Sequence, residues 1–459
     1  MKEEIKPLNI NKNQAAYGSW KSPITSDLII AGSIGVSGPT FHKDKIYWTE
    51  SRPQEGGRSV LVARDGNDED ADVNPAPSNI RTRVHEYGGG AYLLHENFLY
   101  FSNFQDQQVY KQALNGSDTE RLTDEPHLRF ANGCVDEKHN RIIYVVEDHS
   151  KQDQEAENFL AAMDIDTGKI TPLTTGQDFY AAPALSPDGL QLTWITWQHP
   201  NMPWDETQLW LADVGDKGEI ENQQCIQGLK NVSIQQPYFS PDNMLYYISD
   251  ESGWWNIYQY TVGSAGSNIA NMEAEFGVPH WVFGQCTYRF TQDKKILCVY
   301  EINNESALAL INLETHDFQR IDTPYTSISG LDYCENQIAY IGASSKRFPS
   351  VVTHDLGTSK IKVIKASSHL DIDDAYFSIP KTITFKTGIN TAKETSTEST
   401  EEVAHGFYYP PTNRDFEGIK NELPPLLLML HGGPTGATNN ALSLAKQFWT
   451  SRGVGILDL

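Results

Sequence analysis

Between residues 37 and 356 one local pattern returns seven times: a turn, then a short strand rich in Tyr, Trp and branched side chains. The strands read DKIYWTE (44–50), NFLYFSN (97–103), RIIYVVE (141–147), LQLTWIT (190–196), MLYYISD (244–250), ILCVYEI (296–302) and QIAYIGA (337–343). With Tyr47, Tyr100, Tyr144, Thr193, Tyr246, Cys298 and Ala339 as equivalent positions, the successive steps are 53, 44, 49, 53, 52 and 41 residues. A four-stranded propeller blade occupies about 40–50 residues, so this period predicts a mainly β chain whose residues 37–370 form a seven-bladed β-propeller. Ser-Pro-Asp, a turn former, precedes a strand at 186–188 and again at 240–242. The alternative, a β-sandwich, would show turns every 8–12 residues or so and no longer period.

A different texture begins near residue 371. Residues 387–402, TGINTAKETSTESTEE, are polar and free of aromatics, which reads as a solvated loop between strands. Residues 425–430, PLLLML, are nearly continuously apolar, as expected of a strand buried on both faces of an α/β sheet. Past the turn HGGPTGATNN, the residues Ala441, Leu442, Leu444, Ala445, Phe448 and Trp449 keep helical spacing, with Asn440 placed to cap a helix over 440–452 and Gly453 placed to stop it. GILDL (455–459) then starts another strand. Strand, glycine turn, helix and strand make a βαβ unit with a parallel pair.

His431-Gly432-Gly433-Pro434 follows the apolar strand, where an α/β-hydrolase places the loop that donates a backbone N–H to the oxyanion hole. The alternative is a plain tight turn. The strings RTRVHEYGGGAY (81–92), TWITWQHPNMPWDETQLWLADV (193–214), SPDNMLYYISDESGWWNIY (240–258) and AEFGVPHWVFGQCTYRF (274–290) are long and unusual. Together with HGFYYPPTNRDF (405–416) and the stretch 423–459, they resemble the acylaminoacyl-peptidase and dipeptidyl-aminopeptidase branch of the prolyl oligopeptidase family, over about residues 20–459. The resemblance implies a propeller covering an α/β-hydrolase domain with a Ser-Asp-His triad that cuts short peptides. The family's nucleophile sits in G-x-S-x-G, and GVSG (35–38), GSAGS (263–267) and GASS (342–345) all fail that spacing. Since Ser, Asp and His follow the oxyanion loop in chain order, the triad is absent from these residues. What carries over is Gly432 as a backbone oxyanion donor and Gly433 shaping the turn. The expected organisation is an N-terminal segment 1–36 packing on the hydrolase part, a propeller 37–370, and the incomplete start of an α/β-hydrolase domain at 371–459.

Substrate-binding candidates lie in two propeller segments. Arg81, Arg83, His85 and Glu86 stand just before Gly88-Gly89-Gly90, where charged groups would converge on the central channel. A Glu would pair with a peptide's ammonium and an Arg with its carboxylate; inter-blade salt bridging is the rival reading. Trp204, Asp205 and Glu206 occupy an excursion in QHPNMPWDET too long for a hairpin turn.

With 36 basic against 60 acidic residues the net charge is −24, which argues against a nucleic-acid partner. Five scattered cysteines without a C-x-x-C pair fit reduced thiols in the cytoplasm. Neither an export signal nor a membrane span is legible, and no cofactor or metal is expected. Asp68, Asp70 and Asp72 mimic the start of a Ca²⁺ loop but have Val73 where Gly is required and Asn79 where Glu belongs. Cys286 in GQCTY reads as a buried core thiol. Three readings follow: the front part of a serine peptidase, inactive by itself; a non-catalytic propeller that binds peptides or a partner; and an incomplete gene product.

Overall fold

The computed structural model describes residues 12–30, 34–116, 118–151, 153–263, 266–390 and 401–459, so most of the polar stretch 387–402 lies outside the described residues. The chain is mainly β, and each of the seven repeats becomes a four-stranded antiparallel meander. Among the described residues these sheets span 35–72, 92–121, 128–174, 179–227, 234–268, 288–321 and 327–366. The recurring aromatic segment is always the second strand of its sheet. That strand is flanked on both edges and packed on both faces, so it reads as a continuous apolar run instead of alternating. Arg141–Asp148, for example, is buried along all but its last residue. The seven equivalent positions, from Tyr47 to Ala339, are all buried. Outermost strands such as Asp70–Asp72 and Phe318–Ile321 are short and largely exposed, which blunts them as pairing edges.

Each sheet buries its faces against its two neighbours, and the series closes on itself. Leu61 packs with Leu99 and Phe101 between the first and second sheets, Tyr100 with Phe130 between the second and third, and Tyr246 with Tyr288 between the fifth and sixth. Trp48, Val60 and Val62 of the first sheet meet Ala339, Ile341 and Val351 of the seventh. The innermost strands carry bulges, at Ser37/Thr40, Ala131/Cys134, Ala181/Ala184, Gln235/Tyr238 and Ser329/Asp332. A bulge frees backbone and side-chain groups to reach the next sheet. Thus Asn132 N–H donates to Gly90 O at 2.8 Å, Ala182 N–H to Asn132 Oδ1 at 2.9 Å, and Phe41 N–H to Asp332 Oδ2 at 2.7 Å. A cavity of about 1130 Å³ runs along the inner strands of the first, second and seventh sheets and the segment 275–287.

The last sheet is mixed. Lys381–Asn390 pairs antiparallel with Glu401–Tyr409, which pairs antiparallel with Gly455–Asp458, and that strand pairs in parallel with Leu426–Met429. Helix Leu444–Thr450 lies in the crossover, shorter than the sequence spacing predicts, and starts from Ser443. Asn440 does not cap it, because its side chain is taken by Thr326, which donates to it at 2.7 Å, and by Glu305 at 3.4 Å. Nor is Leu426–Met429 buried on both faces. Leu427 and Met429 pack on Phe407, Tyr409 and Ile456, while Leu426, Leu428 and Leu430 are 58%, 52% and 70% exposed. The reason is positional: among the described residues it is the edge strand, with nothing laid over its other face. Ahead of the first sheet, Asn13–Gln14 pairs in parallel with Phe416–Glu417, and Ile24 packs with Tyr376, Leu442 and Leu444.

Tyr288 ties two sheets together from a fully buried position, its hydroxyl placed 2.7 Å from Gln236 O and 3.1 Å from Tyr246 O. Tyr288→Phe leaves these carbonyls short of a donor and should lower stability by about 1–3 kcal/mol in urea unfolding; an unchanged midpoint would contradict the role given to this bond.

Candidate functional site

The turn after Leu426–Met429 is held at both ends. His431 N–H donates to Leu459 O at 3.2 Å, and Thr438 Oγ1 donates to the Asp458 carboxylate, which also pairs with Lys446. Gly433 has φ +70°, open to glycine at little cost, and a Cβ there would sit 3.2 Å from the Trp281 ring. Gly432 is exposed, and among the described residues its N–H has no hydrogen-bond partner. Gly436 is needed for closeness, since a Cβ there would fall 2.4 Å from Gly432 O. The next residue toward the ring of sheets is Thr435, whose Oγ1 accepts the Trp281 indole N–H at 2.8 Å.

Trp281 is one side of an aromatic wall. Its ring lies 4.2 Å from that of Trp204 and 5.0 Å, edge to face, from that of Tyr87. Tyr87 belongs to the segment before Gly88-Gly89-Gly90, which turns sharply: His85 and Glu86 have φ +52° and +64°. Left-handed backbone at two non-glycine residues is strained by about 1 kcal/mol or more each and needs support. The support comes from Glu86 N–H to Arg83 O at 2.9 Å, Gly88 N–H to Val84 O at 3.0 Å, and a bridge from Gly89 to Phe283, where any Cβ would meet Phe283 O at 2.4 Å. His85 N–H donates to Glu147 Oε1 at 2.6 Å. The His85 ring is packed among Phe179, Trp197 and Phe283, with centroids 5.3, 5.3 and 4.7 Å away.

Glu147 is buried at 6% exposure, bonded to His149 Nε2 at 3.0 Å, and Arg129 approaches both it and Glu86, at 3.6 and 3.5 Å. Around these groups lies a cavity of about 790 Å³. Glu86, Glu147, Glu155, Glu157 and Asp178 line it, and among the described lining residues none is Lys or Arg. Two of its histidines are held neutral at neutral pH: burial pushes His85 down to about 3 and His280 down to about 4. From outside the lining Arg129 pairs with Glu86 and Glu147, and Lys151 with Glu157, so five carboxylates face two cations and the chamber keeps a net negative charge that favours an ammonium, while its aromatic side offers large apolar faces.

The structure sorts the sequence candidates. His85, Glu86 and Trp204 line the acidic cavity, and Gly433 touches Trp281 at its rim. Arg81 and Arg83 are not in its lining and stack on Phe104, 4.9 and 4.4 Å from the ring centroid, and Arg81 also lines the larger cavity along the inner strands. Asp205 braces its own loop, accepting Met202 N–H at 2.8 Å, and Glu206 ties that loop to the next one, accepting Asn231 N–H at 2.9 Å. Of the side motifs, Asp68, Asp70 and Asp72 are engaged by Lys362, Arg64 and Arg52, and Cys286 is buried with its thiol pushed up to about 11 by burial. Sequence reading missed Glu147, Trp281, Thr435 and Gly436. A usable signal existed for Trp281 alone, in the aromatic run PHWVFG that fits no strand of the repeat.

No family model and no curated protein matches the chain. Solved structures do. A puromycin-hydrolyzing peptidase of Mycobacterium tuberculosis superposes over 97% of this chain and 69% of its own, at 29% identity and a TM-score of 0.89. Puromycin hydrolase matches over the same shares at 28% identity and 0.88. Prolyl oligopeptidase B from Galerina marginata shares the fold at 9% identity, covering 93% of this chain and 62% of its own, with a TM-score of 0.67.

The neutral histidines carry a pH dependence. Their folded values, about 3 and 4, lie below the ordinary 6.5, so between about pH 6.5 and 4 the unfolded chain binds more protons and stability falls as the pH falls. His85→Phe should lessen the drop in melting temperature over that window; a drop equal to that of the parent chain would contradict the assignment.

Proposed function

We propose that this chain belongs to the prolyl oligopeptidase family of serine peptidases and is the substrate-admitting and oxyanion-bearing part of an enzyme that hydrolyses short peptides with a free amino end. In this reading residues 37–370 are a seven-bladed β-propeller, and 371–459 open an α/β-hydrolase domain on which the described part of 1–36, residues 12–30, packs. The Gly432 N–H is the oxyanion donor and Gly433 gives the turn its shape. The nucleophilic Ser, with its Asp and His, would be met in G-x-S-x-G and beyond, a pattern these residues do not contain. The five unpaired cysteines suit a cytoplasmic setting.

One observation carries the proposal: Trp281 is at once a wall of the acidic cavity and the hydrogen-bond donor to the H-G-G-P turn. A substrate whose ammonium sits among Glu86, Glu147 and Asp178 has its first side chain against Trp281, Trp204 or Tyr87. Its backbone then runs toward Gly432. The same charge separates the branches of the family. A blocked, acylated amine has no positive charge and gains nothing from five carboxylates, whereas a free amine gains a charge-assisted bond. Amine-end recognition of the dipeptidyl-aminopeptidase kind is therefore favoured over removal of acylated residues. The two relatives near 29% identity are described as puromycin hydrolases, which supports hydrolytic chemistry on a small amide.

Titration calorimetry of the 459-residue chain tests this without turnover. Tyrosinamide should bind at least tenfold more tightly than N-acetyltyrosinamide, and Glu147→Gln, which keeps an acceptor for His85 N–H, should erase most of that preference. Equal affinities would remove amine recognition from the account. The same chain should stay unlabelled by a fluorophosphonate probe, because no activated Ser is among its residues; stoichiometric labelling would show otherwise.

A further inference from the structure

We infer that Trp281 is a positioning residue that sets the H-G-G-P turn, so that the turn is ordered only while the aromatic wall of the acidic cavity is in place. The inference rests on the reading of that turn as the oxyanion donor. It goes beyond it by assigning the turn's geometry to a residue about 150 positions earlier, in the connection between the fifth and sixth sheets of the ring.

The turn supplies little of its own rigidity. His431, Gly432, Gly433 and Pro434 are all exposed, and the two glycines leave the backbone with few steric limits. Its flanks are fixed by His431 N–H on Leu459 O and by Thr438 on Asp458. Between those anchors the His431 ring Nδ1 lies 3.3 Å from Gly432 O within the turn, and the tie from the turn to the ring of sheets is the Trp281 indole N–H on Thr435 Oγ1, at 2.8 Å. The indole also limits the turn sterically, standing 3.2 Å from the place of a Cβ on Gly433.

Trp281 itself is well held. Phe276 N–H donates to Trp255 O at 2.7 Å and Phe283 N–H to Gly88 O at 2.9 Å, which pins the segment at both ends. Trp204 and Tyr87 grip the ring at 4.2 and 5.0 Å. A backbone donor must be held about 2.7–3.1 Å from the developing oxyanion, with a tolerance of about half an ångström, so a turn of this freedom needs an outside support. Trp281 is that support. A ligand resting on its free face restrains the ring further, and the restraint passes through the indole N–H to Thr435.

The test compares the parent chain with Trp281→Phe, which keeps a ring in the wall but removes the donor, and with Thr435→Val, which removes the acceptor and leaves the cavity untouched. In ¹⁵N-glycine-labelled protein, NMR order parameters of Gly432, Gly433 and Gly436 should fall below about 0.6, the range of flexible backbone, in both variants, and lie between that and the rigid value of about 0.85 in the ligand-free parent. Glycines of the ring of sheets, such as Gly133, should not change. Saturating tyrosinamide should raise the three values in the parent and leave both variants low. Parent-like values in both variants would overturn the inference, as would a parent whose turn ignores bound tyrosinamide. If tyrosinamide binds none of the proteins, the amine-binding proposal falls, and the ligand-free comparison still decides the role of Trp281. Should Trp281→Phe fail to fold, Thr435→Val carries the test.

Discussion

The packing of the first sheet against the seventh is the constraint on which the rest of the molecule depends, because a sheet with two apolar faces has no stable end. Six of the seven contacts between neighbours form between sheets adjacent in sequence; the last must bring residues near 48 to residues near 341. Trp48 is wholly buried there, and truncating such a residue typically costs about 3–5 kcal/mol. Once the ring is closed, the inner strands are crowded around a common space, and their bulges pass hydrogen bonds from sheet to sheet. The segments 81–90 and 275–287 are pressed together only because the ring is closed. Their meeting, Gly89 on Phe283, builds one side of the cavity that the account treats as the substrate chamber.

The chamber's character follows from what burial does to each kind of charge. His85 and His280 lose their protons in apolar surroundings and so do not neutralise the carboxylates beside them. Glu147 is held in place by a backbone N–H, a histidine and an arginine, and it lines the cavity. Arg81 and Arg83 are spent on Phe104. An arrangement that had begun as a mixed-charge segment in the sequence thus becomes a net-negative chamber in the fold, partly offset by Arg129 and Lys151, with an aromatic wall that reaches the exposed glycine turn.

Much of the fold was legible because it repeats. Tyr47, Tyr100, Tyr144, Tyr246 and their equivalents occupy the same strand of every sheet, and a strand buried on all sides leaves a continuous apolar signature. The same signature misled at 425–430: continuous leucine is equally compatible with an edge strand, and exposure of Leu426 and Leu428 is decided by neighbours rather than by the segment. Asn440 misled similarly, since a good capping residue is also a good tertiary hydrogen-bond partner, and Thr326 claimed it. For the site, His85, Glu86, Trp204 and the glycine turn were visible through local composition. Glu147 was not, because it stands inside an ordinary strand, RIIYVVED, and becomes notable only when the chain brings the His85 N–H to it. Contacts across more than sixty residues leave no mark in either segment alone.

The central claim is that the acidic cavity and the H-G-G-P turn form one site, with the cavity holding an ammonium and the turn facing the carbonyl that follows. A crystal structure of the chain with bound tyrosinamide tests it most directly. The amine should lie at hydrogen-bonding distance from Glu147, Glu86 or Asp178, with the phenol ring against Trp281 or Trp204 and the amide carbonyl turned toward Gly432. Tyrosinamide bound with its amine in the larger cavity along the inner strands, away from those carboxylates, would contradict it.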